Sequence, residues 1–147
     1  QSMGTADEYY QQAQDLASTG AEAQPADDVK WMPLGVFAMT HDDQTKANLI
    51  LQLAVNKDGI IRGNYTATVT DDTKPVQGSV DKKTQRAAWT IGDKTQNVIE
   101  TGIYNLTKDE APALVHFGKD KTEQWVLVRL NKDQDQQQQQ QQDSTPF

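Results

Sequence analysis

About eight short apolar stretches recur between Trp31 and Asn131, and a polar turn cluster follows each of them. One such cluster, Lys57-Asp58-Gly59, is typical of a tight hairpin, because glycine readily adopts the positive φ that the turn requires. The pattern predicts strands at residues 31–39, 48–56, 60–70, 75–80, 86–92, 97–106, 113–118 and 123–130. Their connections are too short for crossover helices, so sequential strands must pair antiparallel. We therefore predict an all-β fold, a small antiparallel up-and-down β-barrel of about eight strands with a short N-terminal helix, and a two-sheet sandwich is the alternative.

Alternation within the strands predicts which residues face the core. Apolar side chains fall on every second position of the second and third strands, as at Leu51, Leu53 and Ile61. The same reasoning assigns further residues to the core: Leu49, Val55, Gly63, Tyr65, Ala67, Val69, Ile99, Thr101, Ile103, Val115, Phe117, Val126, Val128 and Leu130.

The opposite face of the last three strands mixes apolar with charged residues, and we call it the mixed face. Such a surface is too apolar for open solvent and too charged for an ordinary core, so something should cover it. The N-terminal segment is one candidate for the cover and another protein chain is the second. In an inverted barrel, these groups would instead line the interior as a ligand site. The mixed face carries Val98, Glu100, Tyr104, Leu106, Leu114, His116, Trp125, Leu127 and Arg129.

The chain divides into three regions. Residues 1–30 are predicted to form a short helix and a linker, with Asp7 as N-cap and with Tyr10 and Ala13 at helical spacing, and a frayed segment is the alternative. Residues 31–131 form the predicted barrel domain. Residues 132–147 form a Gln-rich tail that we predict to be disordered, because a polar tract buries too little apolar surface to offset its ordering entropy.

Charge and composition narrow the range of partners. The chain carries 14 basic and 21 acidic residues, and its net charge of −7 comes from the flanks, because residues 31–131 are neutral. Without a Lys/Arg stripe to meet phosphates, a nucleic-acid partner is not expected. Membrane insertion is not expected either, since no apolar run approaches the ~18–20 residues of a membrane helix. Because the chain begins at Gln1 and not at an initiator Met, we expect a processed product or an excised fragment, with secretion followed by cleavage as one explanation.

No motif for catalysis or for metal, phosphate or cofactor binding stands out. The chain has no cysteine, no Gly-x-Ser-x-Gly elbow and no His-Glu-x-x-His array. Three pairs of adjacent aspartates, at residues 27–28, 42–43 and 71–72, lack the spacing of a calcium loop and are interpreted as turn and cap residues. We therefore predict no catalytic residue, no metal ligand and no cofactor.

One constellation of side chains carries testable chemistry. Glu100, His116 and Arg129 on neighbouring strands are placed to form a charged network, with Tyr104 and Trp125 as apolar neighbours. A Glu–His pair is capable of acid–base work. We favour the other interpretation, a cross-strand salt bridge on a half-covered face.

Five segments carry a resemblance to known proteins: WMPLGVF (31–37), QLAVNKDG (52–59), GNY (63–65), KTQRAAW (83–89) and ETGIYNLT (100–107). Through them the chain resembles an uncharacterised domain of predicted exported proteins from planctomycete-type bacteria, often labelled mu-protocadherin-like. The Gly-x-Ile-x-Gly-x-Tyr segment at residues 59–65 is also similar to hairpins of small lipocalin-like barrels. The resemblance covers residues 31–131 and implies export, a β-barrel, and a position after a helical or low-complexity region.

The sequence as a whole favours a non-enzymatic, extracytoplasmic (periplasmic or secreted) binding or protein-interaction module. Its predicted contact surface lies on the mixed face, with Glu100, Tyr104, His116, Trp125 and Arg129 as binding residues and with an unknown protein or a second copy of the chain as partner. A small apolar ligand inside the barrel is the second version of this hypothesis, and it competes with bulky side chains that fill a narrow barrel. An enzyme that uses Glu100 and His116 is the less favoured alternative.

Overall fold

The computed structural model describes residues 6–41 and 49–130. Helix α1 spans Ala6–Glu22, and a 3₁₀ helix at Ile103–Thr107 connects the sixth and seventh strands. The strands are β1 (Trp31–His41), β2 (Leu49–Asn56), β3 (Ile60–Ala67), β4 (Asp72–Asp81), β5 (Arg86–Ile91), β6 (Asn97–Gly102), β7 (Glu110–Phe117) and β8 (Thr122–Leu130). The predicted turn at residues 42–43 and the predicted disordered tail at residues 132–147 lie outside the described residues.

The eight strands close into one barrel. Each strand pairs antiparallel with its neighbours in sequence, and β1 also pairs with β8. The β2–β3 hairpin shows how a local turn sets the register: Oδ1 of Asn56 accepts the backbone N–H groups of Asp58 and Ile60, both at 2.9 Å, while Gly59 adopts a φ of 85°. The predicted up-and-down barrel is therefore confirmed, and the sandwich alternative is wrong.

Inward-facing apolar side chains form the core of the barrel. Leu51, Leu53 and Ile61 are fully buried as predicted, and Trp89 is the largest of the fully buried side chains. Burying a side chain of this kind contributes about 1.5–3 kcal/mol to folding. The main buried cluster consists of Phe37, Met39, Leu51, Leu53, Val55, Ile61, Val76, Ala87, Trp89, Ile99, Leu106, Ala111, Ala113, Val115 and Leu127.

The prediction of which β8 residues face the core is wrong. Trp125 lies opposite Ala113 and Leu127 lies opposite Ala111, so both β8 side chains face the interior with their partners. Val126 and Val128 point the other way and are half-buried on the outside. Because apolar residues occupy both alternating positions of β8, the hydrophobic pattern does not distinguish its two faces, and the charge of Arg129 favoured the wrong one.

Arg129 closes one end of the barrel. Its Nη1 donates to the carbonyl oxygen of Leu34 at 3.0 Å, and its Nη2 donates to the carbonyl oxygen of Leu106. Its Nε donates to the carbonyl oxygen of Lys108 at 3.3 Å. The guanidinium also lies 4.9 Å from the ring centre of Phe37. An inward-facing cation is tolerated here because backbone carbonyls replace the water that it loses.

The sixth strand is shorter than predicted. β6 ends at Gly102, and the following residues form the 3₁₀ helix, on which Tyr104 is 70% exposed while Leu106 is buried in the core. Tyr104 is therefore not part of a covered face. Phe117, predicted in the core, is 38% exposed at the other end of the barrel, where β7 ends.

Helix α1 packs across the outer surface of β4, β5 and β6. Its residues Tyr10, Ala13 and Ala17 form a buried cluster with Ala88 and Val98 of the sheet. Residues 6–22 are thus helical and not frayed, and they cover the part of the mixed face that holds Val98, Glu100 and His116. The predicted N-cap residue, Asp7, lies within the helix, which begins at Ala6.

Polar contacts fix the C-terminal half of α1. Oγ of Ser79 donates to the carbonyl oxygen of Leu16 at 2.5 Å, and Nη2 of Arg62 donates to the carbonyl oxygen of Ala23 at 3.0 Å, just after the helix ends. Gly20 lies so close to β4 that an added Cβ would be 1.7 Å from the carbonyl oxygen of Gly78. Glycine is required here by contact distance and not by turn conformation.

Candidate functional site

Glu100 and His116, predicted to share a face, are in direct contact beneath α1. His116 lies opposite Val98 in the β6–β7 register, so Glu100 lies two residues further along the same outer face. Nε2 of His116 donates to Oε1 of Glu100 at 2.7 Å, and Nδ1 is hydrogen-bonded to Oγ1 of Thr122 at 3.0 Å. The side chains of His116 and Glu100 are only 3% and 7% exposed, so both nitrogens of a buried imidazole are satisfied.

Arg86, and not Arg129, is the cation of this network. Nε of Arg86 donates to Oε2 of Glu100 at 3.0 Å, and Nη2 donates to the same oxygen. The sequence prediction missed Arg86, although the short β5–β6 connection contained the necessary information. In that hairpin Ala88 lies opposite Glu100, which makes Arg86 a diagonal neighbour of Glu100 on the same face.

The electrostatics of the network favour an ionised Glu100. Burial alone would raise the pKa of the Glu100 carboxyl, because a desolvated carboxylate is costly. Hydrogen bonds from His116 and Arg86, together with the positive charge of the guanidinium, outweigh burial and hold the pKa below its ordinary value. The carboxylate therefore acts as a charged acceptor for both neighbours.

Helix α1 covers the outer side of the network. The ring of Tyr10 lies 5.7 Å from the ring of His116, and the ring of Tyr9 lies 5.0 Å from Cζ of Arg86. Oε1 of Gln12 accepts a hydrogen bond from Nη1 of Arg86 at 2.8 Å. A substrate would have to displace the helix to reach the imidazole. In the geometry described, the network joins the helix to the barrel.

An open groove of about 380 Å³ lies beside the network, with Tyr9, Asn105 and Gln124 among its lining residues. Its two charged lining residues are Arg86 and Glu100, which already bond to each other. A ligand in this groove would have to compete with an existing ion pair. The groove is therefore a weak candidate for a binding site.

A second cavity, of about 250 Å³, opens at the end of the barrel opposite Arg129, and we call it the mouth cavity. Its apolar walls reach into the core, because Met39, Ile99 and Val115 are buried members of the main cluster. Polar atoms are concentrated on a few side chains, as in typical small-molecule sites. The mouth cavity is lined by Met39, Leu49, Tyr65, Lys74, Ile91, Lys94, Asn97, Ile99, Val115, Phe117 and Trp125.

Trp125 lies in the wall of the mouth cavity, where His41 and Glu123 contact its ring system. The ring of His41 stacks on it, with ring centroids 4.8 Å apart and an interplanar angle of 12°. Nε1 of Trp125 donates to Oε1 of Glu123 at 3.1 Å, and Nζ of Lys121 lies 3.3 Å from Oε2 of Glu123. The pKa of Glu123 is lowered mainly by the hydrogen bond from Trp125. Burial raises this pKa, and Lys121 lowers it further.

The five residues predicted to form one binding surface occupy four different places. Glu100 and His116 lie together beneath α1. Trp125 lines the mouth cavity, Arg129 closes the opposite end, and Tyr104 is exposed on the 3₁₀ helix. The structure therefore does not bring the five residues onto one surface, although the predicted contact between Glu100 and His116 is present.

Three comparisons, with protein-family models, with curated proteins and with solved structures, find no match for the chain. Within residues 6–41 and 49–130, no group of three or more His, Asp or Glu side chains is placed to hold a metal ion. Over the same ranges, no helix has the length and apolar character that crossing a bilayer requires.

Proposed function

We propose that this protein is a non-enzymatic binding module that holds a small, largely apolar ligand in the mouth cavity. The observation that carries the proposal is the asymmetry of the barrel: Arg129 closes one end, while the described residues of the other end surround an apolar space of about 250 Å³. Concave apolar sites with a few polar groups are the usual form of small-molecule sites. The resemblance to exported domains supports an extracytoplasmic location for this activity.

The burial of the Glu–His pair argues against the mixed face as a docking surface for another protein. Glu100 and His116 are covered by the chain's own helix, whose Tyr10 packs on the imidazole. The burial of the imidazole argues against acid–base catalysis by this pair, because His116 is 3% exposed and does not line the open groove beside Glu100. The mouth cavity, by contrast, has exposed residues such as Lys74 and Phe117 in its wall.

The volume of the mouth cavity sets the size of the ligand. A space of 250 Å³ equals that of about eight water molecules at ~30 Å³ each, which suits roughly eight to twelve non-hydrogen atoms. Small ligands gain between about 0.3 and 1.5 kcal/mol per atom. At about 0.6 kcal/mol per atom, a ligand of about ten atoms should gain about 6 kcal/mol and bind with a dissociation constant on the order of 10–100 μM.

Titration with 1-octanol, an apolar chain with a neutral head, tests the proposal. Calorimetry should show saturable binding, and NMR should show shifts in the methyl signals of Ile99 and Val115, which line the cavity. The substitution Ile91→Trp should weaken binding at least tenfold, because the half-buried Ile91 has room to extend a larger ring into the space.

The matched control is Met32→Trp, which adds the same ring at a 61% exposed position near the closed end. It should leave octanol binding unchanged. Absence of saturable binding, or equal binding by the Ile91→Trp protein, would show that the mouth cavity is not a ligand site.

A further inference from the structure

We propose that the ligand of the mouth cavity is an amphipathic anion, an apolar body with a negatively charged head that Lys74 and Lys94 recognise. This inference rests on the proposed function and names the chemical class of its ligand. Three observations support it: both lysines line the cavity, neither has an ion-pair partner within residues 6–41 and 49–130, and the walls of the cavity below them are apolar.

The β3–β4 register directs Lys74 to the cavity. Lys74 lies opposite Tyr65, and both residues line the mouth cavity. The lysine stem is also held against the next turn: a Cβ added at Gly92 would lie 3.1 Å from Cδ of Lys74. The stem of Lys74 therefore runs beside Gly92 at the same end of the barrel as the cavity that it lines.

Lys94 reaches the same opening from the turn between β5 and β6. Within the described parts of the chain, neither Lys74 nor Lys94 lies within 4.0 Å of a carboxylate oxygen. Lys121, near the same end, behaves differently, because Glu123 neutralises it at 3.3 Å. Two cations without acidic partners among the described residues therefore line one cavity of a chain whose net charge is −7.

The cavity separates charge from apolar surface in the way an amphiphile requires. Lys74 and Lys94 are exposed, whereas Met39, Ile99 and Val115 are buried. An anionic head at the lysines would meet two ammonium groups, and its chain would replace water against apolar walls. A medium-chain or aromatic carboxylate of roughly eight to twelve non-hydrogen atoms fits both the charge and the volume.

The head group should add selectivity more than affinity. Ion pairs at exposed sites are weak and screened by salt, so each lysine should contribute a few-fold, and both together about tenfold at low ionic strength. A cationic head should be disfavoured by a similar factor. The expected order of affinity is octanoate, then 1-octanol, then octylammonium.

Calorimetric titration of the whole chain with these three probes tests the inference. Octanoate should bind about tenfold more tightly than 1-octanol at low salt, and this preference should fall to about twofold or less in 0.5 M NaCl. In the double variant Lys74→Met/Lys94→Met, octanoate should bind no more tightly than 1-octanol, whose own affinity should stay within about twofold.

Lys57→Met is the matched control, because it removes the charge of an exposed lysine in the hairpin at the closed end. It should keep the full preference for octanoate. Equal binding of the three probes, or a double variant that still prefers octanoate, would contradict recognition of an anionic head group by the two lysines. Either result would leave the proposed binding site in place. If none of the probes binds, the proposed function itself is overturned, and this inference with it.

Discussion

Nε2 of His116 lies 2.7 Å from Oε1 of Glu100, and the two side chains come from neighbouring strands beneath a helix of the same chain. This pair marks where the amphipathic helix α1 meets the barrel. Arg86 extends the pair outward to Gln12 of the helix. Loss of the carboxylate charge should therefore weaken both the sheet and the attachment of the helix.

Glu100→Gln should lower the free energy of unfolding at pH 7 by about 3 kcal/mol, because it leaves Arg86 and His116 with a neutral partner in a buried place. The folded-state pKa of Glu100 lies below the ordinary value of 4.5. Its stabilising contribution is thus complete above about pH 4.5 and is lost as the pH falls through the lower folded value.

The measurement is urea unfolding from pH 7 down to the acid limit of the fold. The stabilities of the Glu100→Gln and unsubstituted proteins should converge as the pH falls. The control, Glu110→Gln, makes the same chemical change at an exposed position of β7 and should cost less than about 0.5 kcal/mol. A constant difference between the Glu100→Gln and unsubstituted proteins at every pH would contradict the assigned charge of Glu100.

Gly20→Ala should destabilise the protein although alanine is the better helix former by about 1 kcal/mol. The new Cβ would lie 1.7 Å from the carbonyl oxygen of Gly78, so α1 must move away from β4. Overpacking of this kind costs about 1–3 kcal/mol. The change in α1 should appear as faster amide exchange at Ala13 and Ala17, which face the sheet.

Ser18→Ala is the control for this helix substitution, because Ser18 is exposed on α1. It should be neutral or slightly stabilising. A Gly20→Ala protein that is as stable as the Ser18→Ala protein would show that the helix does not pack on β4 as described.

The sequence was sufficient for the barrel because two independent features agree. Strict alternation at Leu51, Leu53 and Ile61 identifies strands with one buried face, and the Asp58-Gly59 turn joins two of them directly. Neither feature depends on distant residues. Short connections then leave antiparallel pairing as the only simple topology.

The site was harder to predict because it depends on contacts that no local pattern encodes. The Glu100–His116 pair followed from alternation on neighbouring strands, but the helix that buries it belongs to a distant segment. The mouth cavity depends on where the turns fall at one end of the barrel. Its cation Lys74 stands in a polar stretch of β4 that resembles an ordinary solvated edge.

Arg129 shows most clearly how tertiary contacts override the local pattern of β8. The substitution Arg129→Met keeps the length of the side chain but removes the donors that reach the carbonyl oxygens of Leu34 and Leu106. Because Leu106 is fully buried, its carbonyl has poor access to water as a replacement. We expect a loss of about 2–3 kcal/mol in the free energy of unfolding, measured by urea denaturation.

Lys119→Met, at an exposed turn near the opposite end, is the control for lost charge and should change stability by less than about 0.5 kcal/mol. The loss of stability in Arg129→Lys should lie between those in Lys119→Met and Arg129→Met, because one ammonium cannot reproduce the several donors of a guanidinium. An Arg129→Met protein that equals or exceeds the unsubstituted protein in stability would mean that Arg129 does not close the barrel from inside. It would then lie on the outer face, where the alternation of β8 had placed it.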